Sequence, residues 1–374
     1  MRILLLGDAS NYHRALSGAL VRMGHDVTLA SDGGGWMHTG CDIDISRPEI
    51  GGRLGGALLW LKMRNLLRRD LRGYDVVQIA SPGFAHLRPR RLRAIFDELR
   101  RENGSVFLSA LGTDAEYVRA LTGPRPPLGY SEWNMGERPT AWAKSEASQR
   151  EIWLSRELTE YTAHFYSHID GVVSALYEYH KVLEATRPEL ALAYGGIPIE
   201  LRVEGCGRKL RSEGPLRIYL AAHKGREAEK GADILFPLVR EFAASRPGEV
   251  EVLEPANMAF ADFLKFLEGV DVLVDQLYSY TPATSALLAM SRGVVAVSGA
   301  EPEFGKFIGE EGPLPLINAS PSEPEGFLRD LGRLADDSRL LADTGRRAEE
   351  FVKRHNSADI VARRFTEFWQ SRLK

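Results

Sequence analysis

At 374 residues the chain exceeds what one ordinary hydrophobic core organises, so two domains are expected. With 44% hydrophobic and 26% charged residues and a net charge of −3, the composition is that of a soluble globular protein and excludes a generally basic polyanion binder. Two distant cysteines, Cys41 and Cys206, exclude a disulfide scaffold or a structural zinc site and fit a reducing compartment. The first apolar run is four residues long, too short for a signal peptide, and no stretch approaches the length that spans a membrane. A cytoplasmic location is the expectation.

The chain opens as strand, helix and strand. Residues 3–6 read as a buried strand, Gly7-Asp8-Ala9-Ser10-Asn11 as a turn, Ala15, Leu16, Ala19, Leu20 and Met23 as the inner face of a helix, and 27–30 as a second strand. This is a Rossmann-type βαβ opening, but it lacks Gly-x-Gly-x-x-Gly, so no dinucleotide cofactor is expected. A Walker-type phosphate loop is absent as well. Residues 53–101 hold twelve Lys and Arg against four acids, and Leu58-Leu59-Trp60-Leu61 and Leu66-Leu67 interleave with Lys62, Arg64, Arg68 and Arg69. Such a segment is either a core-packed helix with a solvated basic face or an amphipathic helix on an anionic membrane surface.

Strands are expected over 75–80 and 106–111, the second running into Gly112-Thr113-Asp114. Asp114 is placed either to cap the helix over 115–120 or to meet a sugar hydroxyl, and the two roles can coexist. Residues 122–142, with Pro124, Pro126, Pro127, Tyr130, Glu132, Trp133, Gly136, Pro139 and Trp142, form the longest irregular stretch, either an apolar wall for an acceptor or a set of packing plugs. A helix over 145–166, a strand over 171–174 and the turn Tyr194-Gly195-Gly196-Ile197-Pro198 complete a first domain, 1–200, with a glycine-rich linker over 203–215.

The second domain, 201–350, opens on the most informative stretch. Residues 216–222 read as a strand buried on both faces, and Ile234, Leu235, Leu238, Val239 and Phe242 as a helix. Between them lies a basic glycine-containing turn with His223, Lys224, Gly225, Arg226, Lys230 and Gly231. Ligands of open α/β sheets sit at the carboxyl ends of strands, where Arg226, Lys230 and amides freed by the glycines suit a diphosphate. His223 is either a phosphate or sugar contact or a structural side chain, and His13 is equally ambiguous. Strands follow over 250–253, 270–274 and 294–297. Tyr280 precedes Thr281-Pro282, which reads as the N-cap and first position of a helix whose opening amides, around Thr284 and Ser285, face the same strand ends. Glu301 and Glu303 lie on the next strand-end loop. Asp42-Ile43-Asp44 sits in an early loop and is a weak metal signal, so no metal site is assigned. The final helix covers 357–372.

This order of features resembles the retaining glycosyltransferases of the GT-B fold, those like family 4, over nearly the whole chain. The Arg226/Lys230-Gly231 turn is similar to that family's Gly-Arg…Lys-Gly motif, and 270–295 to the segment bearing its Glu-x7-Glu. Gly195-Gly196-Ile197-Pro198 is similar to its interdomain turn. The resemblance implies an α/β fold of two Rossmann-like αβα domains facing a central cleft, with a closing helix, 351–374, packed back on the first domain. It implies a nucleotide-sugar donor whose diphosphate is held by Arg226 and Lys230. Beside that pair, His223, Gly225, Tyr280, Thr281, Thr284, Ser285, Glu301 and Glu303 are the further candidate donor contacts, and Asp114 joins Arg226 and Lys230 as the residues expected closest to the chemistry. Sugar transfer would then proceed with retention and without a metal, to a glycan, a lipid-linked glycan or a small molecule, as in polysaccharide biosynthesis. No cofactor beyond the donor and no nucleic acid is expected, and a peripheral contact with an anionic membrane is compatible. Aligned on Ala289-Met290, however, the two motif glutamates fall on Tyr280 and Leu288, neither acidic. Glu301 and Glu303, or Asp275 and Gln276, are the polar groups placed to replace them. The rival readings are a GT-B-type sugar-nucleotide epimerase and a non-catalytic sugar-nucleotide or glycan-binding protein.

Overall fold

The apolar side chains Ile3 to Leu6 leave no face for water, and they form a strand with no exposure at all. The computed structural model describes residues 1–33, 37, 40–201, 214–221, 225–256 and 258–373. The chain falls into two units, the first of Met1–Leu128, Glu146–Pro198 and Ala358–Lys374, the second of Gly129–Ser145 and Ile199–Ser357.

In the first unit the strands are β1 (Arg2–Leu6), β2 (Asp26–Ser31), β3 (Ile43–Asp44), β4 (Val76–Ile79) and β5 (Ser105–Ala110). A short antiparallel hairpin, β6 (Asn134–Met135) and β7 (Arg138–Pro139), belongs to the second unit; β8 (Gly171–Ser174) and β9 (Leu192–Tyr194) return to the first. The seven strands of the first unit pair in parallel in the order β3-β2-β1-β4-β5-β8-β9. The chain runs outward from β1 to β3, then restarts on the other side of β1 with β4. The point of reversal is therefore the β1/β4 boundary. Gly7 closes β1 at φ 80°, and a Cβ there would stand 3.1 Å from that of Ala80, so the approach of the two strand ends requires glycine.

The last helix, Ala358–Gln370, belongs to this unit. Arg22 pairs with Asp359 at 2.7 Å, Arg364 donates to the Gly195 carbonyl at 2.8 Å, and Trp369 donates from Nε1 to Gln78 Oε1 at 2.8 Å. Gln78 Nε2 in turn donates to Ser109 Oγ, which lies 2.9 Å from His13 Nε2, while His13 Nδ1 lies 2.7 Å from the Gly7 carbonyl. A single set of protons satisfies this buried chain: His13 donates from Nδ1 and accepts at Nε2 from Ser109. His13 is thus structural, and burial lowers its pKa to about 4 against the opposing pull of the Gly7 carbonyl.

The second unit has β10 (Leu216–Leu220), β11 (Val250–Leu253), β12 (Val272–Val274), β13 (Val295–Ser298) and β14 (Ile317–Asn318), parallel in the order β11-β10-β12-β13-β14. Here the order reverses at the β10/β12 boundary. Leu235, Phe236 and Val239 of the helix Ala232–Ala244 pack on Ile218, Leu220, Val272 and Val274. Both units are thus Rossmann-like, with helices packed on parallel sheets.

Several expectations need correction. Residues 129–145, expected within a 1–200 domain, pack with the second unit, because Tyr130 lays its ring on Tyr280 with centroids 4.3 Å apart and 14° between planes. Trp133 packs edge-on against Trp142 within the same excursion, so the aromatics there are packing groups. The second unit also runs on to Ser357, past the expected limit at 350. The single helix expected over 145–166 is broken into Ala141–Ser145, Ala147–Trp153 and Arg156–Tyr166, with Ser155 in extended backbone ahead of the last. Asp42 accepts from the Leu29 amide at 2.8 Å and Asp44 pairs with Lys62 at 2.6 Å, so both carboxylates hold the sheet edge.

Candidate functional site

The basic turn after β10 lands on the reversal point of the second sheet. The helix Glu227–Lys230 ends at Gly231, whose φ of 72° and whose 2.6 Å approach to the Leu277 Cβ leave no room for a side chain. The Leu277 amide donates to the Lys230 carbonyl at 2.8 Å, which clamps this turn to the segment leaving β12. Across the seam, Lys230 Nζ lies 2.9 Å from Asp275 Oδ1. Asp275 is wholly buried, and its Oδ2 finds no partner among the described residues. An ammonium and a carboxylate are thus brought together outside the carboxyl ends of β10 and β12, where open α/β sheets bind ligands.

The neighbouring basic group is engaged too. Arg226 forms a two-toothed pair with Glu229, Nε to Oε2 at 2.8 Å and Nη2 to Oε1 at 2.6 Å, and its side chain is 55% exposed. Gly225 has φ 85°, and its amide donates to Glu227 Oε2 at 2.8 Å rather than standing open for a phosphate. His223 lies outside the described residues. In this state, then, the groups expected to meet a diphosphate are held by carboxylates of the chain itself.

The helix expected at Thr281-Pro282 begins later, as Thr284–Met290 with Ala283 extended before it. Thr281 is buried and lies two residues ahead of Ala283, which takes the N-cap position. Thr284 and Ser285 are half-buried in its first turn. Tyr280 is buried under Tyr130 and accepts from the Tyr130 amide at 3.1 Å. Glu301, ahead of the helix Pro302–Phe307, accepts from the Tyr130 hydroxyl at 2.8 Å, while Glu303 is exposed. Tyr130, a residue of the looped-out segment, is thus what orients Glu301. Nothing in the local sequence around either residue signals that meeting.

Asp114 belongs to the first unit and caps the helix Ala115–Leu121. Its Oδ1 accepts from the Tyr117 amide at 2.8 Å and its Oδ2 from the Tyr166 hydroxyl at 2.6 Å. Burial raises its pKa, with the Tyr166 hydrogen bond pulling the other way. The cap is thus one role the geometry gives it, and each oxygen keeps a lone pair for a further donor.

The first unit has its own hollow of about 270 Å³ at its reversal point, lined among others by Gly7, Asp8, Ala80, Ser81, Gly112 and Thr113. Asp32 and His86 stand 3.4 Å apart on its wall. Sequence reading placed a turn there but did not single out these side chains. Among the described residues no group of three or more His, Cys, Asp or Glu gathers as a metal site. Among them, too, no helix is long and apolar enough to cross a membrane.

No family model matches the chain, and no curated protein matches it in sequence. Solved structures match it in fold. An alpha-glucosyltransferase in complex with UDP superposes with a TM-score of 0.64 at 11% identity, covering 99% of each chain. Anabaena Alr3699/HepE in complex with UDP and glucose gives 0.61 at 13% identity, over 99% of this chain and 100% of the other. Sucrose-phosphate synthase from Thermosynechococcus elongatus gives 0.61 at 10% identity, over 99% of each. The chain therefore has the GT-B glycosyltransferase fold, two Rossmann-like units over its full length. Another matching structure is an alpha-glucosyltransferase in complex with UDP and a 13-mer DNA containing a HMU base, so the expected exclusion of nucleic acid as a partner loses its support.

Proposed function

We propose that this chain is a glycosyltransferase that moves a sugar from a nucleotide-diphosphate donor to a hydroxyl of a glycan, a lipid-linked glycan or a small molecule. The donor is taken to bind at the Arg226/Lys230 turn, the anomeric configuration is kept, and no metal is used. The reading includes a family 4-like ancestry with a degenerate Glu-x7-Glu, and a cytoplasmic place in polysaccharide assembly. The observation that carries it is Lys230 at the β10/β12 reversal point, in a fold shared with proteins solved with UDP.

As the glycosidic bond breaks, negative charge grows on the leaving diphosphate, and cations fixed in place stabilise it without reorganisation. Lys230 would turn from Asp275 toward a phosphate oxygen, and Arg226 would exchange Glu229 for the same group. The carboxylates then serve as resting partners that keep the two cations ordered before the donor arrives. Glu301, oriented by Tyr130, is the acidic group proposed to meet hydroxyls of the donor in place of the glutamates absent at Tyr280 and Leu288.

The test is turnover of UDP-glucose and of other nucleotide sugars with a panel of acceptors, with and without a chelator. The expected result is a glycosylated acceptor with the donor's anomeric configuration, formed at an unchanged rate in chelator. Burial of Tyr280 and Leu288, where the resemblance expects acids, favours one second reading, a non-catalytic sugar-nucleotide-binding protein. Binding without turnover across the panel would select it, whereas donor turnover with no acceptor would select an epimerase.

A further inference from the structure

The helix Gly52–Arg69 carries no acidic residue in its 18 positions. Its inner side is formed by Gly55, Leu59, Met63 and Leu67, all buried against the first unit. On a helix of 3.6 residues per turn, Leu54, Leu58, Leu61, Asn65 and Arg68 fall on the opposite side, with Arg69 beside them. Leu54 and Leu61 are the two most exposed large apolar side chains among the described residues, at 60% and 62%. Ile50, 47% exposed, extends the apolar end just ahead of the helix.

Apart from Arg53 at its start, the outward face is therefore divided along its length, leucines toward the amino end and arginines toward the carboxyl end. Lys62 and Arg64 are directed away to Asp44 and Glu98. Arg53, Arg68 and Arg69 are exposed. The nearest acids along the chain, Glu49 and Asp70, lie beyond the two ends of the helix.

We propose that this face docks on a membrane containing anionic phospholipids, with Leu54, Leu58 and Leu61 entering the headgroup and acyl boundary and Arg53, Arg68 and Arg69 pairing with lipid phosphates. Apolar side chains two turns apart on an acid-free helix match such a surface, which offers hydrocarbon and negative charge at one depth. A nucleic-acid backbone offers the charge without the hydrocarbon and leaves Leu54 and Leu61 without a partner. The proposal does not depend on the transfer reaction.

The experiment is co-sedimentation of the full chain with vesicles of phosphatidylcholine alone and with about 30% phosphatidylglycerol, at low and high salt. The protein is expected to pellet with the anionic vesicles at low salt and to stay in solution with the neutral ones. Arg68→Glu with Arg69→Glu, and separately Leu54→Ser with Leu61→Ser, are each expected to weaken vesicle binding by about tenfold or more. All four side chains are exposed, so the thermal midpoint and donor binding of both double variants should match the parent. Equal pelleting with neutral vesicles, or parental binding by both folded variants, overturns the proposal. So does a duplex DNA fragment that binds where vesicles do not, which would assign the face to nucleic acid. A lack of glycosyl transfer would leave the vesicle result standing, so this proposal and the catalytic one fail separately.

Discussion

Lys230 and Asp275 meet at 2.9 Å across the two strands where the second sheet reverses its order, and the carboxylate has no exposure to solvent. Such a pair contributes little net stability when intact, since both ions are withdrawn from water, but losing one partner strands the other. Lys230→Ala is therefore expected to destabilise the protein by about 3 kcal/mol. Replacing both residues by apolar side chains of similar size should recover most of that loss. Urea unfolding of the three proteins checks this, and a neutral Lys230→Ala would show that the pair is not buried as described.

Arg226 should behave differently. Its guanidinium is half exposed and its partner Glu229 lies one turn away, an arrangement that adds little to stability. Arg226→Ala is expected to leave the unfolding midpoint unchanged while weakening donor affinity about tenfold, the loss of one charge-assisted contact to a phosphate. Calorimetric titration with the donor reads the affinity directly.

The buried chain from Trp369 through Gln78 and Ser109 to His13 makes stability depend on pH. The imidazole is held to about 4 in the folded protein, so between its ordinary 6.5 and that value the unfolded chain binds a proton that the folded chain refuses. Stability should thus be unaffected by His13 above pH 6.5 and should fall below it, by about 1.4 kcal/mol per pH unit and about 3 kcal/mol in all. His13→Gln should reduce the slope of that part of the profile, leaving what His25 and His180, both lowered first by burial, contribute, even if it lowers stability throughout. Urea midpoints measured from about pH 7 down to 4.5 separate the two effects.

Tyr130 fastens the looped-out segment to the second unit through its ring on Tyr280 and its hydroxyl on Glu301. Tyr130→Ala removes both and is expected to open 129–145 to a protease at least tenfold faster than in the parent. Tyr130→Phe keeps the ring contact and should stay near the parent rate. Cleavage elsewhere in the chain should not change.

Much of the framework was legible because fully buried parallel strands leave continuous apolar runs. Residues 3–6 announce themselves in this way, 216–220 do so apart from the partly exposed Arg217, and the sharp turn at Lys230-Gly231 is marked by its glycine. Short edge strands such as β3 and β14, two residues each, carry too little pattern to be read. The helix signalled at Thr281-Pro282 is present but starts at Thr284, a boundary that local pattern did not fix. Partners distant in sequence were not legible at all. Asp114 could be read as a cap, but not its bond to Tyr166, 52 residues on. Lys230 could be read as a phosphate-binding cation, but not its pairing with Asp275, 45 residues on. Local composition encodes what a residue is suited for, and only the fold decides which partner it meets.

The measurement that bears most directly on the central claim is thermal unfolding of the parent and of Arg226→Ala against UDP-, GDP-, ADP- and CMP-sugars. Stabilisation by one donor class that is reduced in Arg226→Ala is the expected result. It would place the diphosphate at the Lys230 turn and identify the nucleotide. A shift of equal size in both proteins, or none with any donor, would contradict a donor site at that turn.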